Sequence, residues 1–98
     1  MKSKKNVNLS IQLVPINEEN AYPIIDEAIG VIQASGVKHI VNPFSTIMEG
    51  ELADLLRIVV VAKEAALNAG AEELLLNIQI HLKKDESVAF EDKTEKFK

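Results

Sequence analysis

The sequence predicts an α+β fold with one four-stranded antiparallel sheet and two helices. Residues 7–14 and 72–83 alternate apolar and polar side chains with the period of two that is typical of strands with one buried face. Residues 22–35 and 51–69 instead carry apolar residues at helical spacing. Two shorter strand-like segments lie between the helices. The resulting order is the ferredoxin-like βαββαβ sandwich, with both helices on one face of the sheet.

The first and last predicted strands each have one apolar face and one polar face that lacks Lys, Arg, Asp and Glu. A strand face in contact with water usually carries charges, so this neutral face indicates a ligand or a partner, although an ordinary solvated face is also compatible with so few positions. We therefore expect a homo-oligomer, either a homodimer or a homotetramer, and most simply a two-fold dimer. The residues of the neutral face are Asn8, Ser10, Gln12, Asn77, Gln79 and His81.

The first predicted helix has recognisable boundaries. Pro23 lies in its first turn, where the missing N–H costs nothing, and Gly36 follows its end, where a left-handed residue is expected. In the second helix, the run Ile58–Val61 alone would favour a strand, but the neighbouring residues keep helical spacing. This second helix is apolar over more than half of its circumference, which predicts that another element or subunit covers it.

Polar side chains and turn residues are concentrated in the segment Asn42–Glu51, NPFSTIMEGE. Pro43 ends a predicted strand over residues 37–42, and residues 44–49 are predicted to form the third strand. Thr46 and Glu49 fit two hypotheses. They match the capping box S/T-x-x-E at the start of a helix, or they supply a hydroxyl and a carboxylate that both reach one small ligand.

The length of 98 residues predicts a single domain spanning 1–98. We expect residues 1–6 to form a flexible N-terminus. Residues 84–98 are expected to form a charged tail or a short helix capped by Ser87, docked weakly or on a neighbouring subunit.

Composition excludes several classes of function. The chain has no cysteine, which excludes disulfides, thiolate catalysis and cysteine-based zinc sites. Its net charge of −4 argues against nucleic acid as a partner. No apolar run approaches the roughly 20 residues that span a membrane, and the basic start lacks the apolar run of a signal peptide. We expect a cytoplasmic protein without a membrane partner.

The sequence gives no positive indication of an enzyme. His39 and His81 are the only histidines, each lies in a predicted strand, and neither belongs to a catalytic motif. The four glycines are scattered and form no phosphate-binding loop. We therefore expect no catalytic residue, no bound metal and no cofactor.

Two segments resemble the thiamine-binding protein family, a group of small ferredoxin-like domains. They are ASGVKHIVNPFSTIMEGE and LNIQIHLKKDES, and the resemblance spans roughly residues 7–95. In the first segment, the family pattern of Gly-Thr, two residues and Glu-Gly corresponds to residues 45–50, with Ser45 in place of the first glycine. In the second, the family alternates an acid, a base and Asp, whereas this chain has His81, Lys83 and Asp85.

The resemblance implies non-catalytic binding of thiamine or of its hydroxymethyl-pyrimidine moiety by a cytoplasmic dimer or tetramer acting as a carrier, buffer or sensor. Thiamine would be a bound ligand and not a cofactor. An oligomeric regulatory or assembly module that senses another small molecule is the alternative. Glu49 or Phe44 would face the thiazolium cation, and polar side chains would bind the aminopyrimidine. In order of preference, the ligand-binding residues are Thr46, Glu49, Asn42, Phe44, Ser10, Gln12 and Ser35, the last of which also fits a role at the end of a helix.

Overall fold

The computed structural model describes residues 5–97, and these form a four-stranded antiparallel sheet with two long helices on one face. The ferredoxin-like prediction is confirmed. In chain order the elements are β1 Asn6–Pro15, α1 Tyr22–Ala34, β2 Lys38–Val41, β3 Thr46–Glu51, α2 Leu52–Asn68, β4 Leu74–His81, α3 Glu91–Thr94 and a 3-10 turn at Glu95–Phe97.

The strand order in the sheet is β2-β3-β1-β4, and all neighbours are antiparallel. Asn8 of β1 lies opposite Glu49 of β3 on one side and His81 of β4 on the other. Directly opposed residues share a face of the sheet. These residues therefore lie on the face without α1 and α2, which we call the open face, whereas Ile11 and Thr46 lie on the helix face.

The core lies between the helix face and the two long helices. It is aliphatic because alternate residues of β1 and one side of each helix point into it. Leu9, Ile32 and Leu55 are fully buried at its centre. Their buried neighbours are Val7, Ile11, Leu13, Ile24, Ala28, Met48, Val59, Ala62, Ala66 and Ala71.

Several predicted details are wrong because the backbone conformation at the ends of β3, α2 and α3 differs from the expected one. The third strand begins at Thr46, since the segment around Pro43 is a turn. Thr46 and Glu49 both lie within β3, so they do not form a capping box; α2 starts after Glu51, which makes no side-chain capping bond. Ser87 does not cap the last helix, whose N-cap is Phe90. Gly36, with φ of 76°, is the left-handed residue predicted after α1.

One side of α2 remains in contact with solvent. Leu56, Val60 and Val61 are exposed, and no element within residues 5–97 covers them. Across those same residues, the structure contains no helix long and apolar enough to span a membrane. Of the expected flexible N-terminus, residues 1–4 lie outside the described residues, and Asn6 belongs to β1.

Candidate functional site

A small cleft opens at the end of the sheet where β3 begins, and we call it the turn cleft. Its volume is about 200 Å³. It lies between α1, the end of β1 and the connection from β2 to β3. Its lining residues are Ile11, Gln12, Leu13, Ile25, Ile29, Asn42, Pro43, Phe44, Ser45 and Thr46.

The cleft exists because β1 is longer than its neighbour β3. The last β1–β3 pair is Ile11 with Thr46, and β1 continues to Pro15. Pro43 cannot donate to a strand ladder, so β2 ends and the chain turns. The Asn42 N–H donates to the Ser45 carbonyl over 2.8 Å and closes the turn. In this register the β1 backbone beyond Ile11 has no strand partner on the β3 side, which leaves space for a ligand.

The chemistry of the turn cleft is apolar with a few neutral polar groups. Gln12 and Asn42 bring amides, and Ser45 and Thr46 bring hydroxyls. Thr46 is buried, and its hydroxyl makes no hydrogen bond within residues 5–97. No acidic or basic side chain lines the cleft. Amides and hydroxyls can both donate and accept, so the cleft suits a neutral ring with several polar atoms.

A shallower groove on the open face adjoins the turn cleft, and we call it the sheet-face groove. It has a volume of about 660 Å³. Asn77 donates from Nδ2 to Oε1 of Gln12 over 3.0 Å within it. The ring of Phe44 is 82% exposed and lies where the two depressions meet. The groove residues are Ser10, Gln12, Phe44, Ser45, Leu76, Asn77, Ile78 and Gln79.

The structure brings five of the predicted ligand-binding residues together. Gln12, Asn42, Phe44 and Thr46 line the turn cleft, and Ser10 lines the adjoining groove. The sequence did not predict the apolar wall of this site, which includes Ile25, Ile29 and Leu13, nor the presence of Ser45. The two isoleucines lie beside the main apolar stripe of α1, and that offset was the available signal for a second apolar contact surface.

Ser35 lies far from the turn cleft. It follows α1 at the other end of the sheet, about 20 Å along the helix axis from the start of α1. Its hydroxyl donates to the Ile32 carbonyl and accepts from the Val37 N–H over 3.2 Å. These contacts fit the helix-end role that the sequence also allowed for Ser35.

Glu49 also lies outside the turn cleft. Because successive residues of a strand point to opposite faces, the Glu49 side chain is on the open face and that of Thr46 is on the helix face. The Glu49 carboxylate accepts a hydrogen bond from the Phe90 N–H over 2.7 Å and lies 3.4 Å from Lys38 Nζ. The structure therefore does not place the hydroxyl and carboxylate of this pair around one small ligand.

The partner of Glu49 belongs to residues 87–97, which we call the C-terminal segment. This segment docks on the open face of its own chain. Val88 and Phe90 are buried, and the Val88 N–H donates to the Asn6 carbonyl over 2.9 Å. The hydroxyl of Ser87 accepts a bond from the Asn6 N–H over 2.9 Å. The segment thus covers the end of the open face that lies opposite the turn cleft.

Lys38 joins the sheet to this segment electrostatically. Its Nζ lies 3.0 Å from the Glu91 carboxylate and 5.3 Å from the centre of the Phe90 ring. The hydrogen bond with Glu91, supported by the nearby charge of Glu49, raises the pKa of Lys38 above its usual value. Lys38 therefore remains protonated throughout the physiological pH range.

The two histidines do not form a reactive pair. β2 and β4 are the two edges of the sheet, so His39 and His81 are about 14 Å apart across three strand spacings. They also point to opposite faces, because His39 is paired with Met48 and His81 with Asn8. His39 Nδ1 lies 2.8 Å from the Val37 carbonyl. Within the described residues, no cluster of three or more histidines and carboxylates could hold a metal ion.

The fold and the cleft together define a class of protein: a small ferredoxin-like domain with an uncharged cleft at one end of its sheet. The particular family follows from comparison with known proteins. Residues 9–98 match the profile of the thiamine-binding protein family, and the chain belongs to that family.

Relatives and solved structures agree with this assignment. The UPF0045 protein CPE1503 of Clostridium perfringens is 34% identical over 92 residues, which cover 93% of this chain and 96% of the relative. A domain of unknown function from Bacillus cereus has a TM-score of 0.90 at 37% identity, covering 96% of this chain and 91% of that one. A provisionally assigned thiamine biosynthesis or salvage protein from Thermotoga maritima has a TM-score of 0.86 at 29% identity, covering 95% and 99%.

Proposed function

We propose that this protein binds thiamine, or its hydroxymethyl-pyrimidine moiety, in the turn cleft and releases it chemically unchanged. The observation that carries the proposal is the gathering of Gln12, Asn42, Phe44 and Thr46 around one uncharged cleft, in a chain of the thiamine-binding protein family. The Thermotoga maritima protein of similar structure supports the same ligand. The protein would act in the cytoplasm as a carrier, buffer or sensor.

The dimensions of the turn cleft favour the pyrimidine half of thiamine. Its volume of about 200 Å³ is below the roughly 300–1,000 Å³ of pockets that enclose drug-sized ligands. One flat ring fits between the isoleucines of α1 and the turn. Thr46 and Asn42 would bind the ring nitrogens and the amino group, since each can donate and accept. The unpaired β1 backbone beyond Ile11 offers further in-plane partners.

The thiazolium half would then extend from the cleft toward the sheet-face groove. The exposed ring of Phe44 lies on that route and provides an aromatic face for a cation. Ser10 and Gln12 line the same groove and would meet the substituents of the thiazolium. Glu49 would contact this ligand only after release of the C-terminal segment. If a Glu49→Gln variant binds the ligand with unchanged affinity, Glu49 is not a ligand-binding residue.

A binding role without turnover is supported by the lack of a water-activating group at the cleft. His39 and His81 both lie outside its lining residues. Gln variants of the two histidines that retain ligand affinity, together with recovery of intact ligand after prolonged incubation, would support this role. Thiamine would be the bound ligand and would supply no chemistry to the protein.

Thr46→Val tests the turn cleft directly. The change keeps the side-chain volume and removes a hydroxyl that has no described protein partner. We expect thiamine to bind about three- to tenfold more weakly, as is typical of losing one neutral hydrogen bond, while the thermal midpoint stays the same or rises. Isothermal titration with thiamine and hydroxymethyl-pyrimidine, beside differential scanning calorimetry, measures both effects.

Two further variants make the test specific. Thr94→Val makes the same chemical change in α3, outside the cleft, and should leave the affinity for thiamine unchanged. Ile29→Phe fills the cleft and should abolish binding without unfolding the protein, because Ile29 is only partly buried. The proposal fails if the native protein binds neither ligand, or if Ile29→Phe binds thiamine as tightly as the native protein does.

We further propose that the protein is a homo-oligomer whose subunits pair through β4. This edge strand has eight residues without Lys, Arg, Asp or Glu, although sheet edges are usually protected by charge, proline or short length. Ile78 and Ile80 point to the helix face but are exposed at 38% and 41%. An antiparallel two-fold pairing of β4 with its copy would satisfy the edge and cover these side chains. β2, the other edge, is only four residues long and begins with Lys38.

A further inference from the structure

We infer that the C-terminal segment competes with the thiazolium half of thiamine for the open face, so that docking of the segment and binding of the ligand oppose each other. The inference rests on the proposed function and adds a means of regulating the same site. Two observations carry it: a depression that joins the sheet-face groove to the segment, and the hydrogen bonds by which the segment occupies acceptor groups at that end of the sheet.

The depression lies on the open face between the sheet-face groove and the C-terminal segment, and we call it the connecting depression. It shares Ser10, Ser45 and Gln79 with the groove, and Lys93 of the segment borders it. Along β1, Asn8 follows Ser10 on the same face at a distance of about 7 Å, and it lines the connecting depression. A ligand that extends from the turn cleft along the groove therefore approaches the segment.

The segment occupies two hydrogen-bond acceptors beside this depression. Lys93 Nζ donates to Oδ1 of Asn8 over 2.7 Å. The Glu49 carboxylate, which lies opposite Asn8 in the sheet, accepts a bond from the Phe90 N–H over 2.7 Å, and its side chain is only 9% exposed. A thiazolium cation would be stabilised by the same oxygens, because one carries a negative charge and the other a partial negative charge. The segment and the cation therefore require the same groups.

The charge of the segment also opposes a cationic ligand. The Lys93 ammonium borders the connecting depression, so a thiazolium entering from the groove meets a like charge. His81 belongs to β4 and Lys38 to β2, so both stay in place when the segment leaves. Lys38 is 47% exposed, and water weakens its pairing with Glu49. Release of the segment thus removes one cation and uncovers one carboxylate.

The first test compares ligand affinities by isothermal titration of the native protein and Phe90→Ala. Release of the segment should strengthen thiamine binding by about fivefold, the lower end of the usual coupling between two sites. Hydroxymethyl-pyrimidine, which fills only the turn cleft, should bind both proteins equally. Lys93→Met removes the competing ammonium and should also strengthen thiamine binding. Lys96→Met is the matched control and should not, since Lys96 lies over the Phe97 ring of the same segment.

The second test needs no substitution. The Val88 N–H is protected by its bond to the Asn6 carbonyl, so its exchange reports release of the segment. Because coupling between two equilibria is reciprocal, saturating thiamine should accelerate this exchange by the same factor of about five. Hydroxymethyl-pyrimidine should leave it unchanged. Native-state hydrogen exchange followed by NMR measures both effects.

The outcomes separate this inference from the proposed function. Equal thiamine affinities of the native, Phe90→Ala and Lys93→Met proteins would overturn the inference and leave the proposed function intact. Slower exchange at Val88 with thiamine bound would also overturn it, because the ligand would then hold the segment in place. An equal gain for both ligands in Phe90→Ala would place the effect in the turn cleft and contradict competition on the open face. If neither ligand binds any of these proteins, the proposed function fails and the competition falls with it.

Discussion

At the scale of single residues, Asn8 shows how a polar group is accommodated in a buried position. It is 5% exposed, yet both ends of its amide are bonded. Its Nδ2 donates to the Val88 carbonyl over 3.0 Å, and its Oδ1 accepts from Lys93 Nζ over 2.7 Å. Burying an amide without partners is costly, so these bonds couple the position of β1 to that of the C-terminal segment.

Replacing Asn8 by leucine should therefore destabilise the protein. The Asn8→Leu change keeps a similar volume but leaves the Val88 carbonyl and the Lys93 ammonium without their partner. We expect the free energy of unfolding to fall by about 1–3 kcal/mol, measured by urea denaturation. Asn77→Leu removes an exposed amide bond to Gln12 and should change stability by less than roughly 0.5 kcal/mol. Equal losses in the two variants would show that the buried bonds of Asn8 stabilise the fold no more than the exposed bond of Asn77 does.

Residue spacing also explains why some of the predicted site residues lie together in the structure and one predicted pair does not. Asn42, Phe44 and Thr46 follow the break at Pro43, and a chain that turns there keeps them at one end of the sheet. Thr46 and Glu49 were expected to act together because they are three residues apart. In a strand that spacing separates side chains onto opposite faces, and the sequence did not show that β3 would extend through both residues.

At the scale of secondary-structure elements, the C-terminal segment works as a cover for half of the open face. It contributes the buried side chains Val88 and Phe90, and its backbone bonds to Asn6 and Glu49. Lys38 and Glu91 add an ion pair at the surface. Exposed pairs of this kind contribute little to stability, so the buried aromatic ring is the main anchor.

Phe90→Ala should release the C-terminal segment from the sheet. Truncating a buried phenylalanine usually lowers the free energy of unfolding by about 3–5 kcal/mol. Because the C-terminal segment can detach while the core stays folded, the core is destabilised by less than this amount. We expect amide exchange at Val88 and at residue 90 to accelerate by roughly a hundredfold, while exchange in the centre of β1 stays near its native rate. The measurement is native-state hydrogen exchange followed by NMR.

Phe97→Ala is the matched control for this prediction, because Phe97 is 79% exposed on the same segment. It should leave exchange at Val88 unchanged. If the Phe90 variant protects Val88 as well as the native protein does, Phe90 is not the anchor. If the two phenylalanine variants accelerate exchange equally, the segment is held by its overall composition and not by one buried ring.

The long elements were predictable because each has many residues that repeat one period. β1 and α1 were placed within about two residues of their observed bounds, as their apolar faces recur along their whole length. The docking of the C-terminal segment was not predictable in the same way. Val88 and Phe90 are two apolar points among charged residues, and their partners on β1 and β3 are more than 40 residues away in sequence.

At the scale of the whole molecule, both faces of the sheet are only partly covered, and the edge formed by β4 is unprotected. The two long helices cover the middle of the helix face, and the C-terminal segment covers one end of the open face. The edge strand β4 is poorly covered at both ends, since Leu75 near its start and Leu82 just after its end are exposed at 52% and 54%. The overall βαββαβ order was predictable from the sequence, whereas the incomplete cover of β4 depends on where the helices cross the sheet.

The uncovered edge of β4 predicts that the protein assembles. The native chain should sediment as a dimer or larger oligomer at micromolar concentration, because pairing through β4 would satisfy its backbone and bury its isoleucines. Ile80→Lys introduces a charge into the paired edge, once from each subunit, and should produce monomers with the native circular dichroism spectrum. Val60→Lys, on the exposed side of α2, is the control and should remain assembled, since Val60 is 53% exposed and lies away from β4.

Analytical ultracentrifugation distinguishes these outcomes. A monomeric native chain would contradict the edge pairing, and monomers from Val60→Lys together with an intact Ile80→Lys oligomer would move the interface to the apolar side of α2.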